Sequence, residues 1–285
     1  MTNSDVLYFN GRFTTTAERV IGVEDRGFQF GDGIYDVVKF LSSRTIFARE
    51  HYARMNEGLR ELEIDNPWSE AGFLRLCGDV LERTAFGDGI LYAQVTRGES
   101  QRAHFYPDGM TPTSLVYSRS FAFPDARQKE IGIRTVTAED QRWKRCCVKS
   151  INLLANALAK KKAQRAGAAE ALLVADGQVR EGATSSFFAV LNGRLVTYPT
   201  DPEILPGVVR NHVIGLALSE KIRVDERPVR EDELYNLEEA FITSTTQGVM
   251  PVTEIDDRVI GNSRRGEITE QLQKLYDALE RSVSE

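Results

Sequence analysis

Cysteine is scarce in this chain: Cys77, Cys146 and Cys147 are the only three in 285 residues, and two of them are adjacent. That is too few for a disulfide framework, and neighbouring cysteines do not readily bridge each other. The expectation is free thiols in a reducing cytoplasm. Basic charge is short as well. Lys and Arg number 36 against 42 Asp and Glu, so the formal net charge is −6. This speaks against a nonspecific nucleic-acid binder, which needs a basic face, and any arginines that serve an anionic ligand must be gathered locally against the overall field. No apolar run approaches a membrane span, and Met1-Thr2-Asn3-Ser4-Asp5 has neither the basic start nor the apolar stretch of a secretory leader. Internal repeats and low-complexity segments are missing too, and the sequence calls for no metal.

What is there is ordinary for a globular enzyme: 41% hydrophobic and 27% charged residues, in a chain long enough for one large or two modest cores. Val6-Leu7-Tyr8-Phe9 and Arg12-Phe13 flank Asn10-Gly11, a strong hairpin signal because both turn residues tolerate positive φ. Ile34–Phe40 reads as a β-branched and aromatic strand. Met55, Leu59 and Leu62 give a helix over about 50–63, and Phe73, Leu76, Val80 and Leu81 give another over about 69–84. Strands follow at 90–97 and around Ser114–Tyr117, and the polar, proline-containing stretch 121–127 reads as a linker. Beyond it, Ile131–Val136 is a strand. Ile151, Leu154, Ala157 and Leu158 have helical period before a stop at Gly167. A strand at Ala171–Ala175, an Asp176-Gly177 turn and a second hairpin across Asn192-Gly193 come next. A helix from about 207 to 220, a strand ending in Ser244-Thr245-Thr246 and a C-terminal helix with Ile268, Leu272, Leu275 and Leu279 complete the chain. Hairpins mixed with helices do not make a regular βαβ series. The expected fold class is therefore α+β, with a small N-terminal α/β domain over 1–120 and a larger domain over 128–285 that carries Lys149.

Candidate chemistry collects in a few segments. Lys149 stands between a β-rich stretch and a helix, and Glu181 opens the small-residue loop Glu181-Gly182-Ala183-Thr184-Ser185. An amine and a distant carboxylate are what is needed to hold and tune a pyridine aldehyde: one joins the aldehyde, the other keeps the ring nitrogen protonated. Taken alone, each is more often surface charge. Arg102 and His104 are one residue apart, so in an extended segment they point the same way, and a guanidinium fork with an adjacent imidazole suits a carboxylate. An isolated Arg-x-His is usually a solvated loop, and Tyr35 on its strand is equally readable as a half-buried aromatic.

Phe30-Gly31-Asp32-Gly33-Ile34-Tyr35, Arg97–His104, Lys149-Ser150-Ile151-Asn152-Leu153-Leu154, Glu181-Gly182, Ile204-Leu205-Pro206-Gly207-Val208 and Thr243-Ser244-Thr245-Thr246 occur in an order and spacing that resemble the class IV aminotransferases of fold type IV. Within that family the D-amino-acid enzymes are the most similar. The resemblance covers nearly the whole chain and implies a homodimer that uses pyridoxal 5'-phosphate. Lys149 would carry the cofactor and act as the base, and Glu181 would pair with the pyridinium nitrogen. Leu205 would pack against the ring, although a core leucine would look the same. Arg54, the backbone N–H groups of Val208 and Val209, and Ser244 and Thr245 would hold the phosphate. Tyr35, Arg102 and His104 would trap the substrate carboxylate, the Arg-x-His pair reaching over from the neighbouring subunit.

Two residues depart from the pattern: Asp36, where a glutamate is usual, and Ala183, where a serine is common. The implied reaction moves an amino group between D-amino acids and 2-oxo acids. Rival readings on the same scaffold are an (R)-selective amine transaminase, a branched-chain L-amino-acid aminotransferase, an aminodeoxychorismate lyase-like enzyme and a non-catalytic cofactor-binding protein.

Overall fold

The computed structural model describes residues 6–284; Met1–Asp5, read above for a leader, lie outside the described residues. The chain divides into two compact units. One runs to Ala122 and takes in Val148–Asn152, and the other comprises Phe123–Cys147 and Leu153–Ser282. The Lys149 segment, grouped by sequence with the second domain, therefore belongs to the first unit. The reason is a vacant strand edge, described below.

The first unit contains β1 (Val6–Phe9), β2 (Arg12–Thr15), α1 (Arg26–Phe30), β3 (Gly33–Leu41), β4 (Arg44–Thr45), α2 (Ala48–Glu61), α3 (Glu70–Glu82), β5 (Gly89–Thr96) and β6 (Thr113–Ser120). Its six strands form one antiparallel sheet in the order β2-β1-β6-β5-β3-β4. Strand alternation sends Ile34, Val38 and Phe40 of β3 to one face, where they are essentially inaccessible, as are Met55 and Leu59 of α2 and Phe73 and Val80 of α3. β4 pairs only with Phe40 and Leu41. The Gly33–Tyr35 edge of β3 takes up the Lys149 segment instead: Tyr35 N–H donates to Lys149 C=O at 3.0 Å, Ile151 N–H donates to Gly33 C=O at 3.1 Å, and Ile34 bridges Ser150. Backbone groups on an open edge seek partners, and this segment supplies them.

The second unit contains α4 (Ala126–Ile131), β7 (Ile133–Glu139), α5 (Leu154–Arg165), β8 (Glu170–Ala175), β9 (Gln178–Gly182), β10 (Ser186–Leu191), β11 (Arg194–Thr197), α6 (Val208–Ser219), β12 (Val224–Glu226), β13 (Val229–Arg230), β14 (Glu239–Ser244), β15 (Gly248–Ile255), β16 (Arg258–Val259) and α7 (Glu267–Ser284). Its ten-stranded sheet has the order β12-β11-β10-β14-β15-β7-β8-β9-β13, with β16 on β15. Leu172, Val179, Phe187, Ala189, Val196, Ile242, Met250 and Val252 form the main core.

The three expected turns form as read: Asn10-Gly11, Asp176-Gly177 and Asn192-Gly193 all adopt positive φ. Differences from the sequence reading have local causes. α4 begins inside the stretch read as linker, started by a capping box in which Asp125 and Gln128 bond each other's backbone N–H groups. β15 contains Pro251, which obscures it in sequence; its ladder to β7 begins only at Val252, so the proline interrupts no hydrogen bond there. Glu181 is the penultimate residue of β9 rather than the start of a loop. The face α7 buries most deeply is Thr269, Leu272, Gln273, Tyr276 and Glu280, more polar than the leucine stripe suggested, and Gln273 Nε2 donates to Val249 C=O at 2.9 Å. No disulfide joins the three cysteines, and burial pushes the Cys77 and Cys146 thiols up to about 12. Among the described residues no helix is long and apolar enough to cross a membrane.

Candidate active site

In the first unit, the β3 edge places Lys149 Nζ 4.5 Å from the centroid of the Tyr35 ring. Tyr35 in turn stacks on Tyr92 with centroids 5.5 Å apart. One residue along β3, Asp36 points to the opposite face and is fully buried. Arg54 of α2 grips it with both ends of the fork, Nε to Oδ2 at 3.0 Å and Nη2 to Oδ1 at 2.8 Å, and His51 Nδ1 lies 2.8 Å from Oδ1. Burial alone would raise the Asp36 carboxyl, but the charge of Arg54 and then His51, with their hydrogen bonds, hold it well below the usual carboxylate range. His51 is lowered, by burial first and then by the charges of Arg54 and Lys149, against the opposing pull of Asp36. With its proton assigned to Nδ1, it donates to Asp36. The shorter acid at 36 keeps both partners, and Arg54 is oriented by the protein itself.

Arg102 and His104 lie in an irregular loop rather than an extended strand. They come together because both rest on one ring: Arg102 Cζ is 4.5 Å from the Phe30 centroid, and the His104 ring is 6.0 Å from it. Phe30 ends α1, which Asp25 starts by accepting the Gly27 and Phe28 N–H groups and Gly31 stops at φ 68°. The three carboxylate-binding candidates thus have separate supports in one chain. Tyr35 is on Lys149 and Tyr92, and the Arg-x-His pair is on Phe30.

In the second unit, Glu181 is buried and its Oε1 accepts Arg142 Nη1 at 2.6 Å and Leu205 N–H at 3.0 Å. Leu205 therefore contributes a backbone N–H here. Arg142 is itself held by Asp140, Nε to Oδ1 at 2.9 Å and Nη2 to Oδ2 at 2.8 Å. Burial would weaken the Arg142 charge, but the Asp140 hydrogen bond and the Glu181 and Asp140 charges raise its pKa.

Two residues beyond Leu205, Gly207 caps α6 with no side-chain hydrogen bond, and the first turn carries no acidic residue. The Val208 and Val209 side chains are buried, so backbone N–H groups are what this helix end can offer an anion. A Cβ on Gly207 would meet Ser186 Oγ at 2.7 Å, and Ser186 pairs with Thr243, whose buried Oγ1 has no hydrogen-bond partner. Ser244, half-buried, accepts Gln247 N–H at 3.2 Å on its hydroxyl oxygen and can donate its proton elsewhere, and Thr245 follows in the turn. Unfilled helix donors beside an orphaned hydroxyl, a few residues from a buried acid, fit a ligand with a phosphate at one end and a protonated ring nitrogen at the other. Pyridoxal 5'-phosphate meets that description.

The amino-transferase class IV family model matches residues 33–255. The D-alanine aminotransferase of Bacillus licheniformis is 39% identical over 277 residues, 97% of this chain and 96% of the relative. That of Staphylococcus epidermidis is 33% identical over 272 residues, 95% and 96% of the two chains. The chain belongs to the class IV aminotransferases. Among solved structures, the branched-chain amino acid aminotransferase of Escherichia coli superposes with a TM-score of 0.91 at 23% identity, covering 99% of this chain and 97% of the other. That likeness establishes the fold-type IV architecture, α+β, and nothing finer.

For a class IV aminotransferase read from sequence, the missed residues are those whose partners are remote in the chain. Arg142 is one: its acid is 39 positions away. His51 is another, its acid 15 positions away, whereas Asp140 sits two positions from Arg142 and has only that proximity as its signal. Ala183 is buried in an apolar cluster with Ala138, Ala159, Ala163, Ala171 and Leu173, so the methyl group there fills packing space.

Proposed function

We propose that this aminotransferase moves the amino group between D-amino acids and 2-oxo acids, using pyridoxal 5'-phosphate and acting as a homodimer. The observation that carries the reading is the near-full-length similarity to two enzymes named D-alanine aminotransferase, at 39% and 33% identity. When bound, the cofactor supplies an aldehyde to take up the amino group and a ring to accept the electrons released at the substrate Cα.

The chain's own residues do the rest. Lys149 would hold the cofactor through its amine, and its Nζ would serve as the base that takes the substrate Cα proton. Tyr35, beside Nζ, borders the reacting centre. Glu181, fixed by Arg142 and Leu205, would pair with the ring nitrogen. Val208 and Val209 N–H groups with Ser244 and Thr245 hold the phosphate, and Arg54 adds positive charge. Arg102 and His104 bind the substrate carboxylate. The likeness of this Arg-x-His segment to the family pattern supports a pocket that a neighbouring subunit completes.

The test is incubation with D-alanine and 2-oxoglutarate while pyruvate is followed, with L-alanine in parallel. Pyruvate from D-alanine alone supports the reading, and equal or exclusive use of L-alanine overturns its stereochemistry. Continued turnover without the oxo acid would mark a lyase instead.

A further inference from the structure

We propose that Phe30 and Arg26 are positioning residues that set the affinity for substrate carboxylates by holding the Arg102/His104 loop; this rests on the carboxylate role proposed above for Arg102 and His104. Arg26, only 3% exposed, reaches from α1 into the loop and donates Nη1 to the carbonyl of Ala103, the residue between the pair, at 2.8 Å, and to Phe105 C=O at 3.4 Å. Its Nε donates to Asp32 at 2.9 Å, and the same Asp32 oxygen accepts Arg97 Nε at 2.9 Å. Arg97 anchors the base of the loop, donating to Leu62 C=O at 2.7 Å and Glu63 C=O at 3.0 Å beyond the end of α2. It also lies 3.7 Å under the Tyr106 ring, whose hydroxyl donates to Glu63 at 3.0 Å. The loop is thus pinned at Ala103, Phe105 and Tyr106, while Arg102 and His104 stay exposed.

Phe30 supplies what remains. Its ring takes Arg26 Cζ at 4.6 Å, Arg102 Cζ at 4.5 Å and the His104 ring at 6.0 Å. A benzene ring donates no hydrogen bond, so its contribution is a flat, electron-rich face that two guanidiniums and an imidazole share. Arg26 has Nε committed to Asp32 and Nη1 to the loop backbone, so it holds the segment that carries Arg102. A guanidinium docked on that ring meets a carboxylate in a fixed plane, whereas one released from it must be ordered at each binding event.

The experiment compares holoenzyme variants Phe30→Leu, Phe30→Tyr, Arg26→Lys, Arg102→Ala and the double variant Phe30→Leu/Arg102→Ala. KM and kcat are measured for D-alanine and 2-oxoglutarate, with the visible cofactor absorbance recorded. Phe30→Leu should raise both KM values about 10-fold with kcat changed far less, and Phe30→Tyr, which keeps the ring, should return KM to near the parent value. Because Phe30 acts through Arg102, the double variant should have a KM no higher than that of Arg102→Ala alone. A KM unchanged by Phe30→Leu, or a double variant whose effects simply multiply, would overturn the inference. If Phe30→Leu does not accumulate folded, Arg26→Lys is read in the same way. If Arg102→Ala itself leaves KM untouched, the carboxylate role has failed; if it raises KM and the Phe30 and Arg26 variants do not, only the present inference has.

Discussion

Arg142 faces the buried Glu181 and the part-buried Asp140, and its removal takes this cation from both. Arg142→Met should cost about 3–5 kcal/mol of stability, since breaking a buried pair leaves uncompensated charge. It should also lower kcat, because Glu181 loses the Arg142 contact that helps to fix it. Thermal denaturation with single-turnover kinetics on the same sample checks both; a variant with parent melting behaviour and parent kcat would contradict this role. Lys149→Ala should abolish the visible absorbance of bound cofactor together with amino transfer, read directly from the spectrum of the purified protein. Retained absorbance in the visible would mean that the cofactor amine lies elsewhere. Gly207→Ala brings a methyl group to 2.7 Å from Ser186 Oγ at the start of α6. Cofactor affinity should fall about 10-fold, as expected when one or two donors are displaced from an anion. Adding Ser186→Ala should recover part of it, and equilibrium titration of apoenzyme with cofactor reads the difference.

At the scale of elements, Asp36 ties β3 to α2 through Arg54 and His51. The sign of its pH dependence follows from the two shifts. Asp36 is held below its unfolded value, about 3.9, so its contribution is complete above that pH and is lost as pH falls through it. His51 is also held below its unfolded value, about 6.5, so the unfolded chain takes up its proton first and stability falls as pH drops beneath that point. Both act on the acid side. The urea midpoint should therefore decrease between pH 7 and pH 5, with a shallower slope in His51→Gln; identical slopes in the two proteins would remove His51 from the account. The elements themselves were largely readable. The Asn-Gly and Asp-Gly turns, and the helices built on Met55/Leu59 and Phe73/Leu76/Val80, depend on residues within a few positions of one another. α4 was hidden by its six-residue length, although Asp125 and Gln128 signal it. β15 was hidden by Pro251, whose tolerance depends on where a neighbouring strand begins to pair.

At the scale of the whole molecule, the proposed sharing of sites between subunits has a direct consequence. Lys149→Ala chains, inactive alone, and Arg102→Ala chains, assayed at D-alanine concentrations far below their raised KM, should give activity above either parent when mixed and allowed to exchange. With random pairing about a quarter of the sites would carry both intact residues, as twofold symmetry dictates. Activity no higher than either parent's after exchange, with hybrids confirmed by mass, would place both residues in one chain's site.

The sequence by itself determined the chemistry available to this protein: the amine, the acid, the glycine before α6, the hydroxyl run and the Arg-x-His pair are all fixed by residue identity and order. It also determined most of the local structure, because turns, caps and amphipathic periods are short-range. Tertiary structure decided which groups meet. The vacant edge of β3 claims the Lys149 segment, a ring at the end of α1 gathers Arg102 and His104, and an arginine far along the chain fixes Glu181. Such pairings depend on strand edges and burial that form only when distant segments pack, and residue spacing carries no record of them.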